Sequence, residues 1–258
     1  MSDIPIQQEA AIHKNCIRCN EAISIESRFC KHCGVAQNDY DIIESEQKWP
    51  NIKQVALFFA FDAIICAVGS FIDFFKTLGW SIAFDAMLAI VAITFFCDRW
   101  SKNKYLLVWR NFSPLKLLFY CATAIVGSLI ISVLIGWLNQ ALFSEEFSYY
   151  AFYATNAYGK ELMIFFVAVM PALFEELAYR GFVLEKLLQV VDKKQALFIS
   201  AFLFAIMHMS FISLFWLIPF ALYLAYVRLK ENTLWYGVSM HFCFNLTACL
   251  MELYKLNH

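Results

Sequence analysis

Two carboxylates and a guanidinium stand within six residues of one another, Glu175, Glu176 and Arg180, in a stretch otherwise apolar enough to lie in lipid. A charge near the bilayer centre costs at least about 2.5–3.5 kcal/mol on insertion scales, so such groups face a bundle interior or a wet cavity. Two later apolar stretches supply candidate partners: His208, four residues after Phe204, and His241, four residues before Asn245. Positions four apart share a helical face. Glu176 and Arg180 can therefore pair, while Glu175, turned about 100° from Glu176, is left for another partner. A desolvated carboxyl group gains basicity, which suits a general base. His and Asn donors aimed at a developing oxyanion are worth about 2.7–4 kcal/mol for one donor. The plainer reading is a buried ion cluster that ties helices together, with His208 making an interhelical hydrogen bond.

A second constellation is cysteine. Cys16-Ile17-Arg18-Cys19 and Cys30-Lys31-His32-Cys33 offer four thiolates from two CxxC pairs ten residues apart. Paired CxxC is the structural zinc pattern, here in two short knuckles. The run Phe29-Cys30-Lys31-His32-Cys33-Gly34 resembles the second knuckle of short bacterial zinc ribbons, where glycine permits a left-handed turn after the last ligand. His32 reads as a solvated spacer. Two disulfides or a redox CxxC are the alternatives. Cys66, Cys97, Cys121, Cys243 and Cys249 are single thiols on apolar stretches and read as packing.

These groups must be held by helices in a membrane. The chain has 258 residues and is 61% hydrophobic, against about 45–50% for a soluble domain. The N-terminus is polar and lacks a basic stretch followed by an apolar run, so no cleavable signal peptide is expected. No basic patch interleaved with aromatics points to nucleic acid. At roughly 20 apolar residues per crossing, spans are expected at about 54–71, 78–96, 117–138, 162–184, 196–209, 211–227 and 234–253. The stretch 196–227 is basic at both ends, and one helix of that length would far exceed a core of about 30 Å. Two short spans with a turn near Met209 and Ser210 satisfy both facts. With the N-terminus inside, seventeen of the twenty Lys and Arg fall on inner segments, leaving Lys76, Lys160 and Lys255 outside. The asymmetry predicts a cytoplasmic N-terminus, and a reducing compartment favours zinc over disulfides. The depths of Glu175, His208 and His241 fit a site opening toward the cytoplasm.

Three motifs now stand in order on apolar stretches: EExxxR at Glu175–Arg180, FxxxH ending at His208, and HxxxN from His241 to Asn245. Over about residues 160–253 the chain resembles the CPBP intramembrane proteases, named for CAAX prenyl proteases and bacteriocin-processing proteins. The resemblance implies peptide-bond hydrolysis in a membrane cavity. Glu175 would activate water with help from His208, His241 and Asn245 would stabilise the oxyanion, and Glu176 with Arg180 would orient the site. A catalytic metal is left open: Glu and two His could bind zinc, but Asn is a poor ligand and no HExxH is present.

The expected fold is therefore all-α, a polytopic transmembrane bundle of about seven spans with a small N-terminal zinc ribbon. The expected domains are a ribbon at 1–37 with its core at 13–37, a linker at 38–53, and a transmembrane domain at 54–258. The expected cofactor is structural zinc on Cys16, Cys19, Cys30 and Cys33. The expected partners are membrane lipid, a membrane-associated peptide or protein substrate, and a protein bound by the ribbon. The expected location is a bacterial inner membrane, with multiple passes. A non-catalytic binding, immunity or scaffold protein on the same fold is the competing function. A transporter would predict broken helices or repeated halves, and neither is visible in the sequence. Asp62, Asp85 and Glu185 fall in no motif and read as local hydrogen bonds or interfacial positions.

Overall fold

The computed structural model describes residues 13–37, 39–142, 148 and 150–256. It divides into two compact units, Met1–Lys53 and Gln54–His258. In the first, strands β1 (His13–Asn15) and β2 (Ala22–Ser24) pair antiparallel, with Lys14 opposite Ile23. Each CxxC closes in a tight turn: Asn20 N–H donates to Cys16 O at 3.0 Å, and Gly34 N–H donates to Cys30 O at 2.8 Å. Both donors sit at positive φ, 59° for Asn20 and 75° for Gly34, a region open to Gly and tolerated by Asn.

Helix α1 runs Asp39–Phe71. The stretch 39–53, expected as a linker, is thus helical. Its Glu, Gln, Lys and Ile residues are compatible with a helix, and Pro50 lies inside it. Helices α2 (Leu78–Cys97), α3 (Pro114–Leu142) and α4 (Gly159–Leu187) follow. Then come α5 (Lys193–Ile206), α6 (Leu214–Glu231) and α7 (Trp235–Leu256).

All seven expected spans are helical, and four helices are long and apolar enough to cross a membrane: Glu46–Phe71, Leu78–Cys97, Pro114–Trp137 and Gly159–Leu187. The others have identifiable reasons to differ. Helix α5 has 14 residues, about 21 Å at helical rise. Helix α6 ends in Arg228, Lys230 and Glu231, and α7 carries His241, Asn245 and Glu252. The hairpin expected over 196–227 is formed by α5 and α6, turning through Met209 at φ 50°. Exposed Leu115, Leu118, Ile130, Val133 and Trp137 stud α3, as expected of a surface that meets hydrocarbon.

The basic ends gather at one rim. Lys186 contacts Gln54 and lies 3.6 Å from Asp98. Arg228 and Tyr105 both donate to Glu185 Oε1, Tyr105 at 3.0 Å. Lys116 pairs with Glu231 at 2.7 Å. The start of α7 is fixed here too, where Leu234 N–H donates to Leu106 O at 2.9 Å and Trp235 Nε1 donates to Leu107 O at 2.8 Å.

Candidate active site

The three motifs converge. Glu176 and Arg180 form the predicted pair, 2.9 Å apart, with side chains 0% and 1% exposed. They do so on a helix that is not uniformly α: α4 is π-wound over Ile164–Val169 and again over Glu176–Val183. Such bulges re-aim side chains and recur at functional sites. Glu176 Oε1 also accepts a hydrogen bond from His241 Nδ1 at 3.0 Å. That bond puts a proton on Nδ1 and turns Nε2 toward Glu175, whose Oε2 is 3.8 Å away.

The guanidinium of Arg180 is enclosed on its other sides. Its Nη2 donates to Ala221 O at 3.2 Å, and its centre lies 4.4 Å from the Phe204 ring. Phe204 also meets His208 at 5.0 Å and His241 at 6.0 Å between ring centroids. The phenylalanine of FxxxH is therefore the floor on which the arginine and both histidines rest. His208 itself lies just beyond the end of α5 and is held by Nδ1 against Phe204 O at 3.2 Å.

Asn245 has a partner that spacing could not reveal. Pro171 has no N–H to give the carbonyl four residues back, Val167. Asn245 Nδ2 donates to that carbonyl at 2.9 Å. One amide hydrogen of Asn245 is thus committed, and the second remains for the site.

Glu175 differs from its neighbour. Oε2 of both carboxylates lacks a hydrogen-bond partner among the described residues, but the Glu175 side chain is 34% exposed and that of Glu176 0%. Glu175 faces a cavity of about 460 Å³, also lined by His208, His241 and Asn245. The cavity extends past Val167 and Pro171 of α4, Trp216 of α6 and Ser128 to Gly136 of α3, and along α7 to Lys255. Every lining residue of α4, α6 and α7 lies at or beyond the carboxylates on the side away from the Glu185–Arg228 rim. The expected opening toward the basic side is thus not observed. That side is filled by the Glu176–Arg180 and Glu185–Arg228 pairs.

Three residues that the sequence reading missed support the site. A Cβ at Gly237 would stand 2.9 Å from Glu176 Oε2, so only glycine leaves room for that carboxylate. Its signal is its place, four residues before His241. Tyr179, in the unassigned part of EExxxR, donates its hydroxyl to Asp62 of α1, and both are buried. Phe220 meets the His241 ring edge-on at 5.6 Å.

In the other unit, Cys16 and Cys33 Sγ are 3.6 Å apart, and Cys19 and Cys30 Sγ are 3.7 Å apart. All four sulfurs lie within 4.8 Å of one another. A tetrahedron with Zn–S bonds of about 2.3 Å has edges of about 3.8 Å, so the set could hold zinc. Among the described residues it is the one group of His, Cys, Asp or Glu whose ligand atoms gather closely enough for an ion. Burial pushes the Cys16 thiol up, but N–H groups of Cys19 and Arg18 with the neighbouring thiols outweigh it and bring it down to about 6. His32 is exposed, as a spacer should be.

No curated protein and no solved structure matches the chain. Residues 158–247, the stretch carrying all three motifs, match the family model of type II CAAX prenyl endopeptidases, Rce1-like.

Proposed function

We propose that the protein is an intramembrane endopeptidase that hydrolyses a peptide bond of a membrane-associated substrate with a water activated by Glu175. The observation that carries this reading is the unpartnered Oε2 of Glu175 at the blind end of a cavity that His208, His241 and Asn245 also line. The matched family supports the same class of reaction.

In the proposed step Glu175 takes a proton from water, and the water oxygen attacks the carbonyl carbon. The oxyanion that forms is met by the free amide hydrogen of Asn245 and by His241 Nε2 when that nitrogen carries a proton. His208 orients the water from the other wall. The tetrahedral intermediate collapses, the C–N bond breaks, and the proton held by Glu175 passes to the leaving amine. Glu176 and Arg180 touch no reacting atom. They fix the ring of His241 through Nδ1, a positioning role like that of the groups behind a catalytic imidazole. In the other unit, the four cysteines hold a structural zinc.

The test is cleavage of a membrane-peptide library by purified protein and by Glu175→Gln, each with and without chelator. The amide cannot accept the proton, so turnover is abolished while peptide binding persists. A fully active Glu175→Gln protein returns the chain to the non-catalytic binding reading. Loss of activity with chelator in Cys30→Ser protein, whose ribbon holds no zinc, would add a metal to the site.

A further inference from the structure

The cavity is longer than the chemistry needs. His241 and Lys255 both line it and are fourteen residues apart on α7, about 21 Å at helical rise. Between them Phe244, Ala248 and Met251 present one mostly apolar stripe, faced by Ile131 and Ile135 of α3. The far end changes character. A Cβ at Gly136 would stand 3.2 Å from Lys255 Nζ, so the missing side chain lets the ammonium lie against α3 across the end of the groove. Lys255 has no ion-pair partner among the described residues. Its neighbour Glu252 is engaged, accepting from Ser148 Oγ at 2.6 Å and from Tyr150 N at 2.8 Å through Oε1.

An extended chain advances about 3.3 Å per residue, so about six residues reach from the carboxylate end to the ammonium. We infer that the groove takes an extended apolar peptide and that Lys255 selects those carrying an acidic side chain about six residues from the scissile bond. This inference rests on the peptidase reading above, whose site it extends. Among the described residues Lys255 is the only Lys or Arg on the cavity wall, where Glu252 is the acid beside it, and a carboxylate is the group the ammonium complements. The aliphatic stretch before it would pack the residues between.

The experiment measures binding separately from turnover. Glu175→Gln protein in nanodiscs is titrated, by fluorescence anisotropy, with labelled apolar Ala/Leu peptides carrying one Asp, Asn or Lys at varied distance from a fixed central bond. The Asp peptide with its charge about six residues away, on one side of that bond, is expected to bind about fivefold tighter than its Asn counterpart, the scale of a partly exposed ion pair. The advantage should fade when Asp is moved to three residues. Lys255→Arg should keep the preference, and Lys255→Glu should invert it in favour of the Lys peptide. Equal affinity for Asp and Asn peptides, or an Asp preference that survives Lys255→Glu, overturns the inference. The charge preference with no hydrolysis by the Glu175-intact protein would overturn the peptidase reading and leave the groove's specificity standing. Hydrolysis without the preference would do the reverse.

Discussion

Replacing Glu176 by Gln isolates what the buried pair contributes. The Glu176 carboxylate is 0% exposed and Arg180 1%, so neither charge is offset by water. Apart from Glu176, the contacts described for the guanidinium are the Ala221 carbonyl and the Phe204 ring, and neither carries negative charge. Removing one partner of a fully buried pair costs about 3–5 kcal/mol. The glutamine carbonyl can still accept one bond, which returns about 1 kcal/mol, and the net loss is about 2–4 kcal/mol. Equilibrium unfolding in mixed micelles measures it, alongside Arg180→Gln and the double variant. The double variant should be less destabilised than the sum of the singles by about 2 kcal/mol or more, since it strands no charge. By contrast Glu175→Gln, whose side chain is 34% exposed and whose ion-pair contact with His241 is longer at 3.8 Å, should cost less than Glu176→Gln. A Glu176→Gln protein as stable as the wild type, or strictly additive singles, would refute the argument that these charges are held dry and together.

Gly237→Ala should disturb the same carboxylate from the opposite helix, costing about 1–3 kcal/mol by overpacking and lowering cleavage. Gly79→Ala, where a Cβ meets nothing within 4 Å, should be neutral or stabilising by up to about 1 kcal/mol, as unfolding of both variants will show. Tyr179→Phe leaves the buried Asp62 without its donor and should cost about 1–3 kcal/mol, whereas Asp62→Asn with Tyr179→Phe together should cost less than Tyr179→Phe alone. Cys30→Ser should abolish zinc content and the ribbon fold while the membrane unit keeps its helicity by circular dichroism. In the wild type zinc content should fall on acidification, because protons compete with the metal for the four thiolates.

The sequence was most legible where one period dominates. Apolar runs marked the helices, and the Glu176–Arg180 pair followed from helical spacing even though the segment proved to be π-wound. The charged ends of 196–227 required a hairpin, and one is present. What could not be read depends on contacts between helices far apart in the chain. Nothing local says that Asp62 will meet Tyr179, or that Gly237 is small for the sake of Glu176. Asn245 was read as a donor to substrate, but one of its hydrogens serves a carbonyl that Pro171 cannot serve. The side to which the cavity extends was not legible either, because depth along each helix gives position but not which side the packed ion pairs will fill.

Part of the cavity wall lies outside the stretch of chain that holds its chemistry. Glu175, His208, His241 and Asn245 all fall within residues 158–247, whereas Ser128 to Gly136 and Lys255 fall outside. Mutational drift in α3, or in the last turn of α7, can therefore remodel what the groove accepts without disturbing the groups proposed to cut it. A chimera that exchanges only α3 should accordingly change what the groove accepts while leaving the proposed catalytic groups in place.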